Sequence, residues 1–350
     1  MGGMKALSYS KGVIVSQSSQ QITMQDIATQ SGVSLSTVSR VLNGSENVSQ
    51  EKQAAVMAAV EALNYRPNVF AQGLASGASR TVGVLTQHIS APFFDAILDG
   101  VLAGLRGTGY SPLFADGLWR ADREERSIQL LLDRQVDGLI VLGGATSNCF
   151  LREIAAQKPL VLVGRVVPEL THQSVLFDDF KGAYLATQHL IELGHRQIVH
   201  ITGILEHEDA LLRKKGYLQA LEDAGIPIND NLILEGNFVE QSGVLAVEML
   251  FNRGQLFSAI FAANDQMAYG ARLALYRRGI RVPEDVSLVG YDDLVHSAYT
   301  TPPLTTIHQP AFQMGEVAAN TILGLIGGEQ PEIAPFKAEL IVRNSTARHR

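Results

Sequence analysis

Between residues 22 and 63 apolar positions recur at helical spacing in three short bursts, each opened by a hydroxyl residue. Thr23 caps a first helix, with Asp26 three residues on closing a capping box and Met24, Ile27 and Ala28 as its buried stripe. After Gly32, Ser34 caps a second helix whose inner face holds Val38, Val41 and Leu42, and Asn43-Gly44-Ser45 stops it. Ser49 caps a third, in which Val56, Val60 and Leu63 recur at i, i+4 and i+7. Pro67 breaks this texture, and residues 69–79, rich in small side chains with Gly73 and Gly77, read as a linker.

From residue 81 the pattern changes. Short β-rich apolar runs at 82–85, 138–142, 160–163, 198–201, 259–262 and 286–289 read as buried parallel strands. Amphipathic stretches at 94–105, 184–192, 211–224 and 267–278 read as helices between them. Such alternation predicts doubly wound parallel α/β sheets, and similar halves on either side of Phe177 predict two subdomains facing across a cleft. Ligands of such sheets bind at the carboxyl ends of the strands, so the cleft is the expected site.

Composition narrows the class. The chain of 350 residues is 46% hydrophobic, enough for sizeable cores. Its single cysteine, Cys149, excludes an intrachain disulfide and a cysteine-based zinc cage, which makes the cytoplasm the default location. Charge or glycine interrupts every long apolar run, so no membrane span is expected. The first twenty residues lack the apolar run of a signal peptide and read as a polar, disordered leader. The net charge of −7 argues against a general nucleic-acid coat. Up to Arg80, however, six basic residues face four acidic ones, so only the front of the chain tolerates a polyanion.

The first two helices and the turn at Gly32 make a helix-turn-helix. The second opens Ser34-Leu35-Ser36-Thr37-Val38-Ser39-Arg40, a hydroxyl-rich turn with free backbone N–H groups suited to phosphates, with Arg40 one turn further on. The same pattern also fits a helical hairpin with a solvated serine-rich face. Thr23-Met24-Gln25-Asp26-Ile27-Ala28, Gly32-Val33-Ser34, Thr37-Val38-Ser39-Arg40-Val41-Leu42-Asn43 and Leu63-Asn64-Tyr65-Arg66-Pro67-Asn68 closely resemble the headpiece of lactose/galactose repressor family transcription regulators. Downstream, Leu193-Gly194-His195-Arg196, Ala263-Asn264-Asp265-Gln266-Met267-Ala268, Val289-Gly290-Tyr291-Asp292-Asp293 and Pro303-Leu304-Thr305-Thr306-Ile307 resemble further signatures of that family, in family order.

The resemblance implies an organisation and a set of roles. The expected parts are a leader at 1–20, a helix-turn-helix headpiece at 21–65 and a hinge at 66–79. Behind them a periplasmic-binding-protein-like core divides into 80–177 with 308–338, and 178–307 with 339–350. Thr23, Ser34, Leu35, Ser36, Thr37, Ser39, Arg40 and Asn43 are the expected DNA contacts. Arg40 suits a bidentate contact with guanine, and Leu35 either meets a thymine methyl or packs internally. Leu74 stands where a hinge-helix leucine wedges into the minor groove. Phe93, Phe94, Arg165, Asp209, Arg213, Phe238, Asn264 and Asp292 fall at effector positions, a set of aromatic plates and paired donors and acceptors that suits a sugar. Phe94 and Phe238 are alternatively core residues, and Asp292 alternatively a turn former. His195, His207 and Trp119 read as structural or surface residues.

The resulting expectation is a homodimeric, sugar-released repressor acting on a palindromic operator, with no cofactor, metal or catalytic residue. The sequence lacks a phosphate loop, a G-x-S-x-G elbow and an H-E-x-x-H motif. The alternatives are a corepressor-activated regulator sensing a purine or sugar acid, and a solute-binding protein.

Overall fold

The computed structural model describes residues 22–42, 47–65 and 78–349. They belong to two compact units, Met1–Gly77 and Ala78–Arg350.

The first unit holds α1 (Met24–Ser31), α2 (Leu35–Leu42) and α3 (Gln50–Ala62). The caps at Thr23 and Ser34 form as the sequence predicts, whereas Ser49 stands at the N-cap of α3 without a side-chain cap bond. The Thr23 backbone N–H and hydroxyl both donate to Asp26 Oδ2 at 2.8 Å, which holds that carboxyl below its usual range. Gly32 ends α1 at φ +67°, a conformation that costs glycine nothing. Ser34 Oγ accepts from the Thr37 backbone N–H at 3.3 Å. Ile27, Ala28, Val38, Val41, Val56 and Ala59 make the buried core, with Met24, Leu42, Val60 and Leu63 packed at its rim. Ala59 joins Val56 at the centre on α3, and Val60 packs at the rim.

The second unit contains two sheets. The first is built from β1 (Thr81–Thr86), β2 (Ser111–Asp116), β3 (Gly138–Leu142), β4 (Leu160–Val163) and β5 (Ser174–Val175), in the order β2-β1-β3-β4-β5. The second holds β6 (Ile198–Thr202), β7 (Ile233–Glu235), β8 (Ala259–Ala262), β9 (Ser287–Asp292), β10 (Thr305–His308) and β11 (Glu339–Ile341), in the order β11-β10-β9-β8-β6-β7. Read from β7 inwards, the second sheet repeats the winding of the first. All pairings are parallel except β10 with β11, a short antiparallel strand that covers the sheet edge.

Helices run ahead of their apolar periodicity: Pro92–Leu105, Asp179–Glu192, Glu208–Asp223 and Asp265–Arg277 each begin two to five residues before the predicted starts. Side-chain caps explain this for the second and fourth of them, and proline at the first helical position opens the first. Asp178 accepts from the Lys181 N–H and Asn264 from the Met267 N–H, both at 2.9 Å, so capping starts the helix before the buried stripe does. Similarly, β9 extends past its apolar run to Asp292, whose residue pairs with His308 of β10.

Helix Ala311–Ile326 returns from the second sheet to pack against helix Pro92–Leu105 beside the first. Their approach depends on Gly100 and Gly315: a Cβ on either would stand 2.0 Å from a backbone oxygen, that of Phe312 or Ile97 respectively. This tight crossing packs the returning helix into the first half, against the sheet that β3, β4 and β5 build.

Candidate functional site

Two regions carry the expected chemistry. At the start of α2, the Ser34 hydroxyl lies 2.9 Å from that of Ser36 and 2.8 Å from that of Thr37. Thr23, Ser34, Ser36 and Arg40 are exposed, whereas Thr37 and Ser39 are half-buried. Leu35 is 44% exposed, so it does not fill the headpiece core and remains available to an apolar contact outside it. Asn43, Gly73 and Leu74 lie outside the described residues.

The second region is the cleft at the carboxyl ends of both sheets. Two adjoining cavities of about 360 and 230 Å³ share Phe93, Phe94, Trp119, Asp209 and Arg213 as lining. The larger adds Arg165, and the smaller adds Phe238, Asn264 and Asp292. All eight expected effector positions therefore face one cavity or the other.

Arg213 is the electrostatic centre. Its Nε donates to Asp179 Oδ1 at 2.8 Å and its Nη1 to the Ala263 carbonyl at 2.6 Å. Asp209 stands 3.7 Å and Asp292 4.0 Å from the same guanidinium, which lies 4.0 Å over the Tyr291 ring. Burial pushes the Asp179 carboxyl up to about 6, against the pull of Arg213. Burial also raises Asp292 well above the carboxylate range, although Gln309 Nε2 donates to its Oδ1 at 2.8 Å.

Several expected ligand groups are already engaged. Arg165 donates to the Gly144 carbonyl and to Asn148 Oδ1, each at 3.0 Å, and also to the Thr146 carbonyl, while burial lowers its pKa. Asn264 accepts from the Met267 N–H and donates to the Phe238 carbonyl at 2.9 Å. The cleft thus spends both guanidiniums on the protein, while the carboxylate of Asp209 keeps only its long contact with Arg213.

Trp119 and His207 correct the sequence reading. Neither is a surface or purely structural residue: both line the larger cavity, and their rings stack at 4.0 Å between centroids, 19° from parallel. Phe94 meets Trp119 edge-on at 5.8 Å. Asp179 was not among the expected residues either, and only its position opening a helix opposite Gly216 could have marked it. His195 is structural as expected, bonded to Ser258, Ser287 and the Ala347 carbonyl within 3.0 Å. Asp265, buried nearby, accepts from the Leu294 N–H and from the Ser297 and Thr306 hydroxyls, and burial raises it to about 7.

Among the described residues no helix is long and apolar enough to cross a membrane, and no group of three or more His, Cys, Asp or Glu side chains is placed to hold a metal. Residues 23–68 match the model of bacterial regulatory proteins of the lacI family, and residues 187–346 match the periplasmic binding protein-like domain. The transcriptional regulator GalR of Salmonella typhimurium is 38% identical over 328 residues, 93% of this chain and 96% of the relative. The ribose operon repressor of Haemophilus influenzae is 38% identical over 301 residues, 86% of this chain and 91% of its own. The crystal structure of a Lac repressor dimer bound to operator superposes with a TM-score of 0.85 at 31% identity, covering 94% of this chain and all of that one. Helix-turn-helix headpiece, twin-sheet core and near full-length similarity agree, and the chain belongs to the LacI family of DNA-binding transcriptional repressors.

Proposed function

We propose that this repressor works as a homodimer on a palindromic operator and controls carbohydrate-utilisation genes, releasing DNA when a small sugar fills the cleft. The observation that carries the sugar reading is the pairing of a buried carboxylate, Asp292, with aromatic rings at strand ends around a cavity of ring-accommodating size. Carboxylates bind vicinal hydroxyls and aromatic faces cover the apolar side of a sugar. Arg213 is neutralised by Asp179, with Asp209 and Asp292 close by, which disfavours a sugar acid. A LacI-family regulator from Enterococcus faecium, 29% identical with a TM-score of 0.69, has been crystallised with ribose.

DNA reading is assigned to Leu35, Ser36 and Arg40, with Thr23, Ser34, Thr37, Ser39 and Asn43 as backbone contacts and Leu74 as the minor-groove wedge. The effector acts only through its different affinity for the two states, so induction requires tighter binding to the form off DNA. A purine corepressor is the second reading, favoured by the flat face of Trp119 in the cleft and by the 34% identity to the repressor PurR of Haemophilus influenzae.

A thermal-shift panel of neutral sugars, sugar acids and purines tests the choice, because a ligand that binds only the folded protein raises its melting temperature. A shift with neutral sugars that also weakens operator retention supports the reading. A shift confined to purines or sugar acids overturns it.

A further inference from the structure

We propose that the cleft-facing side of Trp119 is a ring-stacking subsite and that the imidazole of His207 is its resident occupant, displaced by an effector ring with an apolar face. The proposal rests on the cleft being the effector site.

Trp119 is held in place from behind. Its φ is +55° and that of Leu118 is +53°, a left-handed pair that non-glycine residues adopt only when their surroundings enforce it. Here Asp116 Oδ1 accepts from the Leu118 N–H at 2.9 Å, and Gln87 Oε1 accepts from the Trp119 N–H at 3.1 Å. Behind the ring lies Gly143, where an added Cβ would stand only 3.2 Å from Trp119 Cη2. Phe94 closes one edge. His207 covers a face of the ring from the opposite subdomain, so this ring contact spans the cleft.

His207 is the replaceable partner. It sits in extended backbone at the N-cap of helix Glu208–Asp223, where its carbonyl accepts from the Leu211 N–H but its ring makes no cap bond. It is 7% exposed, and its Nδ1 is buried with no hydrogen-bond partner. A ring so poorly satisfied gives up little polar bonding when it leaves. The cavity of about 360 Å³ that both rings line supplies room for the incoming group. A ligand that stacks on Trp119 would thus compete with His207 and, in the same step, break a contact between the subdomains. Removing the competitor raises apparent affinity, as any pre-opened site does.

Trp119 is the chain's only tryptophan, so tryptophan emission comes from the ring at this contact, without any effector. Full-length wild type, His207→Ala and His207→Asn are compared at pH 8, where imidazole is largely neutral. Loss of the stacked imidazole bares that face of the ring to water and is expected to shift the Trp119 emission to longer wavelength in both variants. Added imidazole is then expected to quench the variants along a saturable curve and the wild type only along a linear, collisional one. His207→Asn keeps a polar group at the position and preserves the readout if alanine lowers the melting temperature. Unchanged emission in the folded variants, or identical linear quenching in all three proteins, overturns the stacking subsite. These outcomes are independent of which effector the cleft takes. With a sugar or purine identified by thermal shift, tighter binding to His207→Ala supports displacement, and equal or weaker binding overturns it.

Discussion

Asp179 and Arg213 form a largely buried 2.8 Å ion pair in the wall of the cleft, joining the first turn of helix Asp179–Glu192 to helix Glu208–Asp223. The Tyr291 hydroxyl donates to the same carboxylate at 3.1 Å. Removing one partner leaves an uncompensated buried charge, which typically costs about 3 to 5 kcal/mol. Asp179→Ala is expected to lose stability of that order in urea unfolding, and Asp179→Asn less, because the amide keeps the shape and one acceptor. A loss below about 1 kcal/mol in the alanine variant would mean that Asp209 and Asp292 already balance Arg213.

Arg40→Ala is expected to cost about 1 to 3 kcal/mol on the specific operator and much less on random DNA, since a bidentate base contact discriminates whereas a phosphate contact does not. Filter binding on both DNAs at one salt concentration checks it. Equal losses reassign Arg40 to the phosphate backbone.

Asp292→Asn preserves shape but turns one acceptor into a donor, and leaving a buried polar partner unsatisfied costs about 1 to 3 kcal/mol. Effector affinity is expected to fall by about tenfold or more in calorimetry. Operator affinity without effector is expected to stay close to wild type. Wild-type effector binding in this variant would make Asp292 a structural residue, serving Gln309 and the end of β9.

Gly315→Ala places its new methyl 2.0 Å from the Ile97 carbonyl oxygen, with no flexible side chain to yield. Overpacking of this kind costs about 1 to 3 kcal/mol or more. The expected result is a lowered melting temperature. Gly324→Ala in the same helix serves as the control: its nearest neighbour is Glu329 Oε2 at 3.3 Å, and helix propensity favours alanine by about 1 kcal/mol.

Acid sensitivity has an identifiable source in His200, which burial lowers to about 3 from an ordinary 6.5. Between those values the unfolded chain binds a proton that the folded chain refuses. This contribution is therefore intact above pH 6.5 and lost as pH falls towards 3. Asp265, raised to about 7, acts in the opposite sense, because its folded form gains a proton before its unfolded form does. The difference between wild type and His200→Phe isolates the histidine: the urea midpoint of the variant is expected to fall less between pH 6.5 and 5.

Much of this architecture was legible in residue pattern. The headpiece caps at Thr23 and Ser34 and the fully buried strands β3, β4 and β8 carried local signals strong enough to read, whereas the cleft positions came from the family resemblance. What escaped was set by tertiary context. Strand β2, Ser-Pro-Leu-Phe-Ala-Asp, lies at a sheet edge with only partial burial, so it has no continuous apolar run. Strand β7 has three residues and β5 two, too short for any periodicity. Trp119 escaped for a different reason: its side chain is aimed by a left-handed turn that Gln87 enforces from thirty-two residues away in the chain. Sequence spacing carries no trace of that bond.

The repeated winding of the two sheets gives each loop of one half an internal counterpart in the other. The segment after β2 supplies Trp119, and the segment after β7, its equivalent, supplies Phe238. Both residues hold left-handed backbone, at φ +55° and +66°, and both put an aromatic ring against the cleft. The cleft is therefore lined by a pseudosymmetric pair of jaws, with one ring contributed by the same structural position in each half. Substitutions at Trp119 and Phe238 accordingly form a matched set, whose combined effect reveals whether the two jaws grip independently or as one.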